Sequence, residues 1–225
     1  MKAHCNAGLP AGLLACLLLS PVSSRIASSQ APAPAPAPEQ HASSLGFRYS
    51  VPGDWEVVDS QSKMPQLKEQ ADKNAGSDEE KKGLACVQVV LTARHGDPAS
   101  VMVEVALPFD CFGETMTEAE LPGFASGASE GLKQSFDVGA PVTANYSLGS
   151  HTMWIERTKG APKGHPEISY TVEITCGLLK KAAVCWMAMA ADDTALHTFE
   201  RAVVTLDGES SSALVPPTAF DKKPL

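Results

Sequence analysis

The stretch ISYTVEITCGLLKKAAVCWMAMA, Ile168 to Ala190, decides the fold. It reads as two strands joined by a turn at Lys180-Lys181, whose paired cations suit a solvated hairpin tip. With the turn centred there, Cys176 lies opposite Cys185, Ile174 opposite Met187 and Val172 opposite Met189, and all six point to one apolar face. Directly opposed residues in a non-hydrogen-bonded pair have Cα atoms about 4.5 Å apart, within reach of a disulfide. Closing a ten-residue loop this way is worth roughly 2.5–3 kcal/mol in the chain-entropy model.

Two further cysteines lie outside the N-terminal leader, Cys86 and Cys111, and they pair by elimination. A simple hairpin register puts them on opposite faces, so their bond requires a bulge or a loop. The rival reading, a metal held by four cysteines, lacks any Cys-x-x-Cys knuckle.

The hairpins continue on the N-terminal side. VTANYSL-GS-HTMWIER alternates Val142, Ala144, Tyr146 and Leu148 against Thr143, Asn145 and Ser147, and Gly149-Ser150 suits a type II′ turn. This register sets Tyr146 against Met153 and Ala144 against Ile155. Before it, LACVQVVLTAR and SVMVEVALPF bracket HGDPA as another hairpin, with Val87, Val89 and Leu91 on one face.

Helical spacing appears in two places. Leu121, Phe124, Ala125, Ala128, Leu132 and Phe136 recur at helical intervals behind a Thr117/Glu120 capping box. DDTALHTFERAVVTL reads as a closing helix with Asp193 as N-cap and Leu196, Phe199, Val203 and Leu206 as its buried stripe. The polar run from Ser60 to Lys82 suggests a short helix near Pro65–Lys73 and a capping pair at Ser77 and Glu80. Antiparallel strands with interspersed helices make an α+β domain, an antiparallel sheet flanked by helices on both faces in an α/β/α sandwich.

The leader is of a different kind. Lys2 and His4 precede AGLLACLLLS, Ala11 to Ser20, an apolar core of about ten residues where a bilayer span takes about twenty. Cleavage is expected after Ser24 or Ser28. Leu13-Leu14-Ala15 before Cys16 hints at a lipoprotein box, but the apolar run continues through Leu19 and argues against a lipid anchor. APAPAPAP at 31–38 favours an extended spacer. The expected organisation is a signal peptide over 1–28, an Ala/Pro-rich linker over 29–44, the domain over 45–207 and a flexible tail over 208–225. The expected location is secreted or periplasmic, with no transmembrane segment in the mature chain. An even cysteine count fits that compartment.

LGFRYSVPGDWEVVD, Leu45 to Asp59, opens the fold with an alternating strand, a Pro-Gly turn and Trp55. In GFRYSVPGDWEVV, and in the closing TALHTFERAVVTL after a hairpin, the chain resembles the PsbP-like superfamily over about residues 45–207. The resemblance implies an antiparallel sheet between helical layers, and members that bind or scaffold without a catalytic motif. It carries no site residue onto this sequence. The insertion at 60–82 and the four cysteines depart from the usual pattern.

Chemistry-bearing patterns are sparse. The 225-residue chain has a formal net charge of −8. An acidic body opposes phosphate backbones, so nucleic acid is not an expected partner. Ser60-Gln61-Ser62-Lys63 fits Ser-x-x-Lys without the companion motifs of penicillin-recognising enzymes. His95, His151, His165 and His197 lack metal-ligand spacing, and no Gly-x-Ser-x-Gly elbow or phosphate loop occurs. No cofactor is implied. Asn145-Tyr146-Ser147 is a glycosylation sequon, relevant in a eukaryotic secretory route. Candidate surface contacts are Trp154, Trp186 and His151. The two tryptophans lie opposite the expected core sides of their hairpins, where a second layer would bury both. The expected function is an exported, non-enzymatic binding or scaffold domain of the bacterial cell envelope, with an envelope protein as partner. A small secreted hydrolase and a thiol-active protein using Cys176 and Cys185 are the alternatives.

Overall fold

Each side of the central sheet is buried, and its middle strands are apolar almost without break for that reason. The computed structural model describes residues 39–42, 44–59, 78–133 and 135–221. The main sheet takes strands β3 (Glu56–Val57), β4 (Gln88–His95), β5 (Ser100–Pro108), β10 (Ala182–Ala190), β9 (Tyr170–Leu178), β8 (His151–Pro162) and β6 (Phe136–Val138) in that order, with β7 (Val142–Leu148) also paired to β8. All of its pairings are antiparallel. A second sheet of four strands holds β1 (Glu39–Ala42), β2 (Phe47–Val51), β11 (Val203–Leu206) and β12 (Ser212–Ala213) in the order β1-β2-β11-β12.

The helices α1 (Asp78–Cys86), α2 (Phe109–Phe112) and α3 (Leu121–Leu132) supply residues to the core on one face of the main sheet. The helix α4 (Asp193–Glu200) and the four-stranded sheet cover the other. The short helix α5 (Thr218–Asp221) follows β12. The fold is α+β, an antiparallel sheet with helices on both faces, as expected from sequence, but on one face the small sheet shares the covering layer with α4.

The cysteine hairpin has the register read from sequence: Cys185 pairs with Cys176, Met187 with Ile174 and Met189 with Val172. The Gly149-Ser150 turn likewise sets Tyr146 against Met153 and Ala144 against Ile155. Gly149 holds φ at +62°, which the first central position of that turn requires. At Gly177 the backbone approaches Met153 so closely that a Cβ would lie 2.6 Å from its sulfur.

Elsewhere the structure departs from the sequence reading. Val87, Val89 and Leu91 do not share a face. The β4–β5 register shifts between Val89 and Leu91, so Val87 and Val89 join the helix-side core while Leu91 and Ala93 join the opposite one. Such a bulge inserts one residue and reverses the alternation beyond it. The Thr117/Glu120 capping box is present, but it opens a 3₁₀ turn over Glu118–Glu120 before α3. Phe136 is not on the helix; it begins β6 and pairs with Pro162.

The closing helix ends at Glu200, and its N-cap is Asp192, whose side chain accepts from the Ala195 N–H at 2.8 Å, rather than Asp193. Val203 to Leu206 form β11 instead of a last helical turn. The β-branched run Val-Val-Thr favours extended backbone. Val204 and Leu206 point inward and Val203 is 44% exposed. Glu39–Ala42, expected in the linker, pairs with β2. The segment after Gly208, expected as a mobile tail, returns to the body through β12, with Leu214 and Phe220 buried. The helix expected at 65–73 lies outside the described residues, as does Ser77 of the expected capping pair.

Candidate functional site

Among the described residues, the largest convergence of charge lies under α4 and α5, on the face closed by the small sheet. Arg157 of β8 and Glu173 of β9 are cross-strand partners, so their side chains leave the sheet side by side. The guanidinium Nε donates to Glu173 Oε2 at 2.7 Å, Nη2 to Glu200 Oε1 at 2.5 Å, and Nη1 to Asp221 Oδ1 at 3.1 Å. The Phe220 ring lies 4.9 Å from the guanidinium carbon, a cation–π contact. His197, one turn before Glu200 on α4, places Nδ1 2.9 Å from Glu200 Oε2. Three carboxylates therefore meet one arginine, and two of them, Glu173 and Glu200, are buried. Burial raises the Glu173 carboxyl above its ordinary value; Arg157 opposes that rise and Glu200 adds to it. Burial acts against the charge on Arg157, and Glu173 and Glu200 outweigh it. Arg157 stays cationic.

A second buried carboxyl sits on the same face. Glu104 of β5 pairs with Trp186 of β10, which pairs in turn with Thr175 of β9. Glu104 is 0% exposed, and neither of its oxygens has a hydrogen-bond partner in the structure. Burial pushes it up to about 8. Tyr49 of β2 lies over it from the small sheet, its phenol raised by burial and by Glu104. Tyr146 is raised by burial and then by Glu173, and its hydroxyl donates to the Leu214 carbonyl at 3.2 Å. On the opposite face Glu156 is raised by burial, and the nearby Lys133 ammonium opposes that rise.

The residues singled out from sequence scatter across the molecule. Cys176–Cys185 and Cys86–Cys111 are disulfide-bonded, both on the helix side of the sheet. The helices α1 and α2 resolve the conflict over Cys86 and Cys111, because both residues sit on helices at the sheet's end rather than on its hairpin. Trp186 is fully buried, edge-on to Phe47, and has no surface to offer. Trp154 is half-buried against the helix-side core. The two tryptophans face opposite ways, so they form no common surface. Trp55 is buried and stacks on His95 at 5.8 Å.

His151 is enclosed beside the β7–β8 turn. Its Nδ1 lies 2.9 Å from the Leu178 carbonyl, which can only accept, so Nδ1 carries the proton. Its Nε2 lies 3.7 Å from Glu209 Oε1 and 3.9 Å from Asp207 Oδ2. The neighbouring Ser150 hydroxyl bonds to Glu209 rather than to the imidazole, so Ser150 and His151 do not form a nucleophile–base pair. Ser60 and Lys63 lie outside the described residues.

Sequence reading missed Arg157, Glu173, Glu200 and Glu104. A signal for two of them was present: Glu in VMVEVAL and in TVEITC interrupts an otherwise apolar strand. A carboxyl held near neutral pH can exchange a proton, but Glu104 and Glu173 are fully enclosed and out of reach of a solvent-borne substrate. Among the described residues, no group of three His, Cys, Asp or Glu side chains is placed to hold a metal ion. A depression lined by Phe112, Met116, Glu120 and Phe124 holds about 20 Å³, room for about one water.

No family model and no curated protein matches the chain. Among solved structures it is similar to the solution structure of cyanobacterial PsbP (CyanoP) from Synechocystis sp. PCC 6803, at 11% identity and a TM-score of 0.42, over 80% of this chain and 98% of that one.

Proposed function

We propose that this protein is an exported, non-enzymatic binding or scaffold domain of the bacterial cell envelope, acting through its outer surface on an envelope protein. The observation that carries this reading is the closure of its charge cluster. Arg157, Glu173 and Glu200 are spent on one another inside the fold. The Ser150 hydroxyl is spent on Glu209. Export is supported by the two disulfides, which need an oxidising compartment, and by the leader at 1–28.

The experiment is expression of the full chain in a bacterium with an envelope, followed by fractionation and intact mass. A shortened, oxidised chain in the exported fraction is the expected result; an uncleaved cytosolic chain defeats export. A lipid-modified Cys16 at the mature N-terminus would replace the free form by an anchored one. The purified protein is then exposed to a fluorophosphonate probe and a panel of ester substrates. Labelling or turnover would overturn the non-enzymatic half and restore the hydrolase.

A further inference from the structure

The two disulfides differ in access. Cys176 and Cys185 are both 0% exposed, sealed between the sheet and the helix layer. Cys86 is buried, but Cys111 is exposed on α2. Attack on a disulfide requires a thiolate to reach one sulfur, so access decides which bond can exchange. Around Cys111 the surface formed by Phe109, Asp110, Gly113, Glu114 and Thr115 is open and shallow, so nothing among the described residues stands in the way of an approaching side chain.

A cation stands at the same place. Lys82 lies four residues before Cys86 on α1, so the two share a helix face. Its ammonium sits 5.7 Å from the Phe112 ring centroid and 3.5 Å from where a Cβ on Gly113 would be, next to the Cys111 end of the bond. A neighbouring ammonium favours the thiolate over the thiol. The local structure can also yield. α2 has four residues and no side-chain N-cap, and such a turn does not persist without tertiary ties.

We propose that Cys86–Cys111 is a thiol–disulfide exchange site that accepts electrons from a protein dithiol of the thioredoxin-like class. The partner's thiolate attacks Cys111 Sγ. A mixed disulfide forms as the Cys86–Cys111 bond breaks, and the electron pair leaves on Cys86 Sγ, one helical turn after Lys82 on α1. The partner's second thiol, once deprotonated, attacks its own sulfur in the mixed bond and releases Cys111 as thiolate. The two protons given up by the partner end on Cys86 and Cys111. The partner is oxidised to a disulfide, and this chain gains two electrons and two protons. Reduction unties α2 from α1 and leaves Cys176–Cys185 in place. The site is independent of the binding function proposed above.

The test uses the native, oxidised protein and dithiothreitol as the dithiol probe. Time points are trapped with N-ethylmaleimide and mapped by peptide mass. Modification of Cys86 and Cys111 at least tenfold faster than of Cys176 and Cys185 is the expected result. No release from the native state, equal rates, or earlier release of Cys176 and Cys185 would overturn the proposal. Lys82→Gln keeps both disulfides and is expected to slow release several-fold with an unchanged far-ultraviolet spectrum. An unchanged rate removes Lys82 from the mechanism. Cys86→Ser/Cys111→Ser serves as control and must release no thiol in the native state.

Discussion

The two faces of the main sheet are secured by different physics. On the α3 side Val103, Val105, Ile174, Met187 and their neighbours form an apolar layer crossed by both disulfides. On the α4 side the layer holds Glu104, Glu173, Arg157 and Glu200, and no disulfide among the described residues crosses it. The first face is fixed by covalent bonds and burial, with Glu156 as its one titrating carboxyl raised by burial among the described residues. The second depends on the protonation of buried carboxyls and on one guanidinium. A molecule built this way has one face tied mainly by covalent bonds and one tied mainly by ionisable groups.

The largest expected effect comes from breaking the ion cluster. Arg157→Met leaves Glu173 and Glu200 buried without their cation, and removing one partner of a buried pair costs about 3–5 kcal/mol. Urea denaturation at neutral pH measures it. Adding Glu173→Gln and Glu200→Gln to that variant should recover most of the loss, because the unpaired charge causes it rather than the absence of the pair. Failure to recover would mean that the packing of Arg157 against Phe220, rather than charge, holds this face.

The covalent face is expected to lose less. Cys176→Ala/Cys185→Ala removes the ten-residue loop and should cost roughly 2.5–3 kcal/mol. Its loss should be the same at pH 6 and pH 8, which separates the two faces in one denaturation series. A pH-dependent loss would show that they are coupled.

Third in size is the pH response of Glu104. Its folded-state value is raised to about 8 from 4.5. The folded state therefore holds a proton that the unfolded chain releases, and its contribution is full below about 4.5 and is lost as pH rises through about 8. One group titrating this way changes stability by up to 1.4 kcal/mol per pH unit, so about 2 kcal/mol should disappear between pH 6 and pH 8. Glu173 adds in the same direction. Glu104→Gln cannot ionise and should flatten its share, becoming more stable than the parent chain at pH 8. An unchanged slope would assign the pH response to Glu173 and Glu156.

The helix-side face was the more legible in sequence. Opposed Cys176 and Cys185 and the turn at Gly149-Ser150 fix two registers by local rules, since a hairpin relates residues close in the chain. The ion face assembles Arg157, Glu173, Glu200 and Asp221 from four elements, and no short-range rule links them. Local ambiguity explains the remaining errors. Val89-Val90-Leu91 offers an apolar side chain to either face, so the bulge leaves no trace in the pattern. Ala-Val-Val-Thr-Leu fits a helical stripe and an alternating strand equally, and pairing with β2 decides in favour of the strand. Trp186 was placed correctly on the side opposite Cys185; the four-stranded sheet that buries it comes from both ends of the domain.

The smallest effect probes how far the ion face acts as a unit. Asp192 caps the first turn of α4 and Glu200 ends the last, so the cap and the cluster share one helix. Asp192→Ala should cost about 1 kcal/mol, whereas Asp193→Ala, whose residue makes no cap bond, should cost little. If the cap only stops fraying of the first turn, its loss adds to that of Arg157→Met within about 0.3–0.5 kcal/mol. If α4 is held as a rigid rod by both ends, the double variant loses less than the additive value, because a helix already freed at Glu200 has less to lose at Asp192. A double-mutant cycle by urea denaturation distinguishes the two. Phe199 and Leu196, buried between cap and cluster, anchor the middle of the helix independently of either end, so additivity is the expected result.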